Sequence, residues 1–168
     1  SSDNTTWSDS SLYGVDTDPW NTISWVFTFP NGSGYYRFYS LAIDNDTNVE
    51  YFTGNDTIGG YDIVKPSSQV DPISTYWHST SDNPLLITVT NTSDAFSGIK
   101  NVTLYYRYRA TNTSSWITAV SVSCDETAPW SWNFTFPNGN GHYRFYSIAS
   151  DNAGTREDPP TSPEFDTQ

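Results

Sequence analysis

"FPNGSGYYRFYSLAIDN" occupies residues 29–45, and "FPNGNGHYRFYSIASDN" occupies residues 136–152. The phrases stand 107 positions apart and differ at four places: Ser33/Asn140, Tyr35/His142, Leu41/Ile148 and Ile43/Ser150. Each opens on Pro-Asn-Gly, and Asn-Gly tolerates the positive φ of a tight turn. Each then runs into alternating aromatic and polar residues, which reads as a strand. The chain therefore carries one turn-and-strand unit twice.

The repetition extends upstream. Residues 4–20, "NTTWSDSSLYGVDTDPW", pair with residues 113–130, "TSSWITAVSVSCDETAPW", aligning Trp7 with Trp116 and Pro19-Trp20 with Pro129-Trp130. The first copy carries a short insertion before its FTFP. A repeat of roughly 107–110 residues is the size of one sandwich domain, not of a solenoid unit. In the second copy, strand patterns fall at 74–78, 85–90, 102–109, 116–122, 130–136 and 142–150, with a last one beyond Gly154. Val102, Leu104, Tyr106 and Tyr108 share one face of the third. The first copy begins at the counterpart of Asn112, after the first three patterns have passed. We read residues 1–64 as the C-terminal part of a repeat, 65–73 as a linker and 74–168 as a complete repeat with a tail.

Composition fits an all-β chain. Aromatic residues make up 17% of 168 residues, enough for packed cores. No long apolar stripe of helical period is present. The net charge is −12, so phosphate backbones and anionic bilayers are disfavoured partners. No run approaches the roughly 18 apolar residues that span a membrane. There is no Met. A chain of this kind that starts at Ser1 reads as a processed product or part of something longer. The single Cys124 cannot form an internal disulfide, and Gly14 stands in its place in the first copy. It is inert or intermolecular.

"GHYRFYSIA" (residues 141–149) followed by "DNAG" (151–154) resembles strand F of the fibronectin type III and bacterial immunoglobulin-like family. "NVTLYYRY", "PWSWNFTFPNGNGHYRFYSIASDNAG" and "PISTYW" are similar to tandem repeats of large archaeal surface proteins. The resemblance implies tandem immunoglobulin/fibronectin III-like β-sandwiches, the first lacking its early strands. It places the second copy's patterns as A, B, C, C′, E, F and G, and the first copy's as C′, E, F and G alone. It also implies tyrosine corners at Tyr36 and Tyr143, where a phenol caps the turn before strand F.

In that fold A, B and E form one sheet, and C′, C, F and G the other. Without A, B and C, the first copy forfeits about 1.5–3 kcal/mol for each missing buried side chain. A whole domain is stable by only about 5–15 kcal/mol, so the first copy is not expected to fold alone. Either residues ahead of Ser1 supply the missing strands, or a separate donor strand does. The tail after Pro159 could add one strand, not three.

Candidate sites follow from residue type. N-x-S/T occurs at Asn4, Asn31, Asn45, Asn55, Asn91, Asn101, Asn112 and Asn133, about twice what composition alone gives. N-linked glycans are expected at several, with Asn101 and Asn133 beside or inside strands. Asp44, Asp46 and Asp151 could offer hard oxygen ligands to calcium, or they are solvated turn residues with Asx hydrogen bonds. Trp7, Trp116, Tyr76 and Trp77 are either sugar platforms or packed aromatics. His78 and His142 are the only histidines. His142 is matched by Tyr35, and both copies share no recognisable catalytic arrangement. The expectation is a structural, non-enzymatic extracellular module at a cell surface. Its partners are neighbouring copies in a filament, sheath or surface-layer stalk. The rival is an adhesin or carbohydrate-binding appendage of a larger secreted protein.

Overall fold

The computed structural model describes residues 1–18 and 21–161. The Pro19-Trp20 match and the tail beyond residue 161 lie outside them. The chain divides into two units, Ser1–Ile63 and Val64–Gln168. The described residues are all-β: nine strands pair antiparallel in several small sheets, with one 3₁₀ turn at Thr80–Asp82 and no α-helix. No described helix is long and apolar enough to cross a membrane.

In the second unit, β4 (Leu85–Val89) pairs with β8 (Trp130–Phe134). The long β6 (Ile99–Arg109) lies between β7 (Val120–Asp125) and β9 (His142–Asp151). The period-2 pattern decides which side chains go inside. Val102, Leu104 and Tyr106 of β6 are buried, as are Trp130, Trp132 and Phe134 of β8, while Ser131 and Asn133 between them face out. These join Ile87, Val89 and Phe145 in one core between the two pairings. Such facing antiparallel sheets are compatible with a β-sandwich. Phe134 meets Phe145 edge-to-face at 4.9 Å, the geometry that ring quadrupoles favour.

Several boundaries differ from the sequence reading. Residues 74–78 form no strand; Tyr76 and Trp77 remain exposed. Residues 65–73, read as a linker, belong to the second unit. They hold β3 (Ser67–Gln69), paired with β5 (Asn91–Ser93), and bury Val70 in the core. Glu157 fixes this short polar strand by accepting from the Ser68 amide (3.0 Å) and hydroxyl (2.6 Å). The strand expected at 116–122 lies at β7, where register with β6 holds it. Past Gly154 there is an isolated bridge, Ser150 to Arg156, rather than a strand.

The first unit is thinner. It has β1 (Gly34–Phe38) and β2 (Thr57–Tyr61), antiparallel, in place of the four strands expected. Neither 7–13 nor the described part of 20–29 forms a strand. Its aromatic cluster gathers Phe27, Phe29, Tyr36, Phe38 and Tyr61, with Phe29 stacked on Tyr61 at 4.1 Å. Every buried hydrophobic residue among those described nevertheless lies in the second unit.

Candidate functional site

The open edge of β1 is the feature that the two copies make comparable. β9 has β6 along its whole length, from Arg109 opposite His142 to Ile99 opposite Asp151. β1 has β2 on one edge. On the other, Ser1 donates its amino group to the Tyr35 carbonyl (2.8 Å) and accepts from the Tyr35 amide (2.7 Å). A Cβ on Gly34 (φ +155°) would meet the Ser1 carbonyl oxygen at 2.7 Å. A Cβ on Gly141 (φ +157°) would meet the Arg109 carbonyl oxygen at 2.6 Å. Ser1 thus takes the place in the first unit that Arg109, the last residue of β6, takes in the second. Among the described residues, no strand pairs with that edge of β1.

The exposure of matching side chains follows. Tyr146 is 6% exposed and its counterpart Tyr39 39%; Ile148 is 4% exposed and Leu41 45%. Leu12, Val15, Val26 and Tyr51 are also well exposed. Unpaired backbone beside exposed apolar surface is a template for another strand.

Other devices recur in both units. The Tyr36 hydroxyl donates to the Gly32 carbonyl (2.7 Å) and the Tyr143 hydroxyl to that of Gly139 (3.0 Å), each closing the turn four residues back. Burial raises the Tyr143 phenol above its ordinary range, partly offset by the hydrogen bond from the Asn138 amide. Arg37 lies over the Trp7 ring at 3.9 Å; Arg109 and Arg144 lie over Trp116, each at 4.6 Å. These guanidiniums use ring faces that a sugar would need. Tyr76 and Trp77 are different: they meet edge-to-face, and Trp77 is 72% exposed. The Tyr76 hydroxyl is 2.7 Å from His142 Nδ1. His78 lies 3.9 Å from Asp82.

Sequence reasoning missed a repeated glutamate. Glu50 accepts from the Ala42 amide (3.0 Å), and Glu157 accepts from the Ala149 amide (2.9 Å). Each glutamate's own amide donates back to the same alanine carbonyl. Both pairs keep the 107-residue offset, a signal present in the sequence. Glu157 additionally holds β3, as above; Glu50 is exposed.

The acidic residues separate sharply. Asp44 accepts from the Asp46 and Asn48 amides and the Asn48 side chain, so its turn uses both oxygens. These bonds, the Asn48 side chain first, hold its carboxyl below the usual range. Asp46 belongs to no cluster of three acidic, His or Cys ligands among the described residues. Asp151, the counterpart of Asp44, is fully buried. Of the sequons, Asn4, Asn31, Asn45, Asn55, Asn91, Asn112 and Asn133 are exposed, and Asn101 is half-buried. Asn133 points out of β8 between Trp132 and Phe134. Asn112 receives two bonds from the Arg109 guanidinium. Cys124 is a free, exposed thiol.

No protein-family profile matches the chain, and no curated protein or solved structure matches it either.

Proposed function

We propose that this chain is a structural module of an extracellular, cell-surface protein, built from immunoglobulin/fibronectin III-like repeats. Its first unit takes a β6-type strand from a neighbouring repeat or copy. The single observation that carries this reading is the edge of β1. It begins a ladder with Ser1 and, among the described residues, pairs with no further strand there, while the same phrase in β9 is covered throughout. The pairing order of the second unit, β4 with β8 and β7-β6-β9, supports the family reading because it matches B with E and C′-C-F. Main-chain bonds would supply affinity, and exposed residues such as Leu41 would supply apolar contact. The excess of negative charge and the exposed sequons suit a glycosylated surface that repels nucleic acid and anionic lipid. Catalysis forms no part of this role, and it needs no cofactor beyond N-linked glycans.

Electron microscopy of the purified native material tests the proposal. Regular head-to-tail polymers, with glycosylated peptides in its mass spectrum, are expected; isolated monomers at all concentrations contradict it. The second reading, a carbohydrate-binding appendage, rests on the exposed Tyr76–Trp77 pair. Saturable binding on a glycan array, lost in Trp77→Ala, would favour it over the structural role.

A further inference from the structure

Asp151 ends β9 with no exposed surface. One of its oxygens, Oδ1, accepts from the Thr155 amide at 2.7 Å. The other, Oδ2, is buried and has no hydrogen-bond partner. Asp94, in the loop between β5 and β6, repeats this half-satisfied state. Its Oδ2 accepts from the Phe96 amide (3.1 Å) and the Gly98 amide (2.7 Å), and its Oδ1 is buried without a partner. A carboxylate oxygen of one residue lies within 4.8 Å of a carboxylate oxygen of the other. Among the described residues no Lys, Arg or His forms an ion pair with either.

The pairing is built, not incidental. The loop is tied to the end of β9 by Asn152, whose side chain donates to the carbonyls of Ser97 (2.8 Å) and Gly98 (3.1 Å). The Asn152 amide also donates to the Gly98 carbonyl. Two carboxyl groups are thereby held together, Asp151 fully buried and Asp94 half-buried, each with a buried oxygen spare. Buried carboxylates left this way are costly unless paired, protonated or bound to a metal. Two hard oxygens at this separation fit a cation that bonds oxygen at about 2.3–2.6 Å.

We propose that Asp94 and Asp151 bind a divalent hard cation of the calcium class. The ion would join the β5–β6 loop to the end of β9, neutralise both carboxylates and complete its shell with water. Two protein carboxylates make a weak site, in the range of about 0.1–1 mM that extracellular modules use. The site rests on neither the filament reading nor the open edge of β1.

The test is a calcium titration of the full chain after chelator treatment, at constant ionic strength, read by thermal melting of the second unit and by terbium luminescence. A saturable rise in Tm and a sensitised terbium signal are expected. Asp94→Asn keeps an oxygen for the Phe96 and Gly98 amides and removes the charge, so it should fold and weaken the apparent affinity at least about tenfold. Asp151→Asn should do the same if it folds. Asp44→Asn, at the matching position of the first copy, where the carboxylate is used up by its own turn, should titrate like the unaltered chain. No calcium response up to several times the range above, or an undiminished response in Asp94→Asn, overturns the proposal.

Discussion

β9 runs ten residues through "HYRFYSIASD", and β1 runs five through "GYYRF" and stops at Phe38. The words that follow Phe38 are nearly those that continue β9. What differs is the neighbour: β6 lies along the whole of β9, whereas among the described residues it is Ser1, and no strand, that meets the equivalent edge of β1. Strand length is set here by available partners more than by local preference, as expected where β-propensity depends on cross-strand and core contacts. The same holds for the acids. Asp44 closes an exposed Asx turn; Asp151 is buried against the loop that leads into β6.

Matched substitutions sharpen this contrast. Phe145→Ala empties a site packed against Phe134 and should cost the second unit about 3–5 kcal/mol. Phe38→Ala, its half-buried counterpart, should cost less than about 1.5 kcal/mol; urea melts of the two variants compare them. Next comes the glutamate pair. Glu157→Ala leaves Ser68 and the Ala149 amide without acceptors and should cost about 1–3 kcal/mol. Glu50→Ala, on an exposed residue, should stay within about 0.5 kcal/mol. If the two cost the same, β3 is not what Glu157 holds.

Removing the turn-closing hydroxyl in Tyr143→Phe should cost about 1 kcal/mol, against less in Tyr36→Phe. The smallest effect is alkaline. Burial raises the Tyr143 and Tyr146 phenols, so the folded second unit keeps protons that its unfolded chain releases near pH 10. Their stabilisation is intact below that pH and falls as pH rises toward the folded values. A pH series of melts should show this loss beginning near pH 10, and a flat profile from pH 9 to 11.5 would contradict it.

The parts legible in the sequence are those whose own pattern specifies them. β4, β6, β8 and β9 announce themselves by period-2 apolar residues, and Asn-Gly marks the turns that Tyr36 and Tyr143 close. β3 was not legible: "SSQ" has no apolar alternation, and its anchor, Glu157, lies 89 residues away. β2, "TIGGY", is hidden by glycines that weaken the strand signal. Asp94 and Asp151 come together only because β6 pairs with β9, which sets the β5–β6 loop against the end of β9, so spacing could not reveal it. The expected strand at 74–78 misled because the adjacent aromatics Tyr76 and Trp77 form an exposed edge-to-face pair rather than joining a ladder.

Amide hydrogen exchange over the two phrases, measured in the full chain and in a version with a second copy of residues 64–110 fused ahead of Ser1, tests the open-edge account most directly. The account predicts slow exchange at residues 146–150 in both proteins, fast exchange at residues 39–43 in the unaltered chain, and slowing of 39–43 once the extra β6 is supplied. Equal protection of both phrases in the unaltered chain, or residues 39–43 still exchanging fast in the extended one, would contradict it.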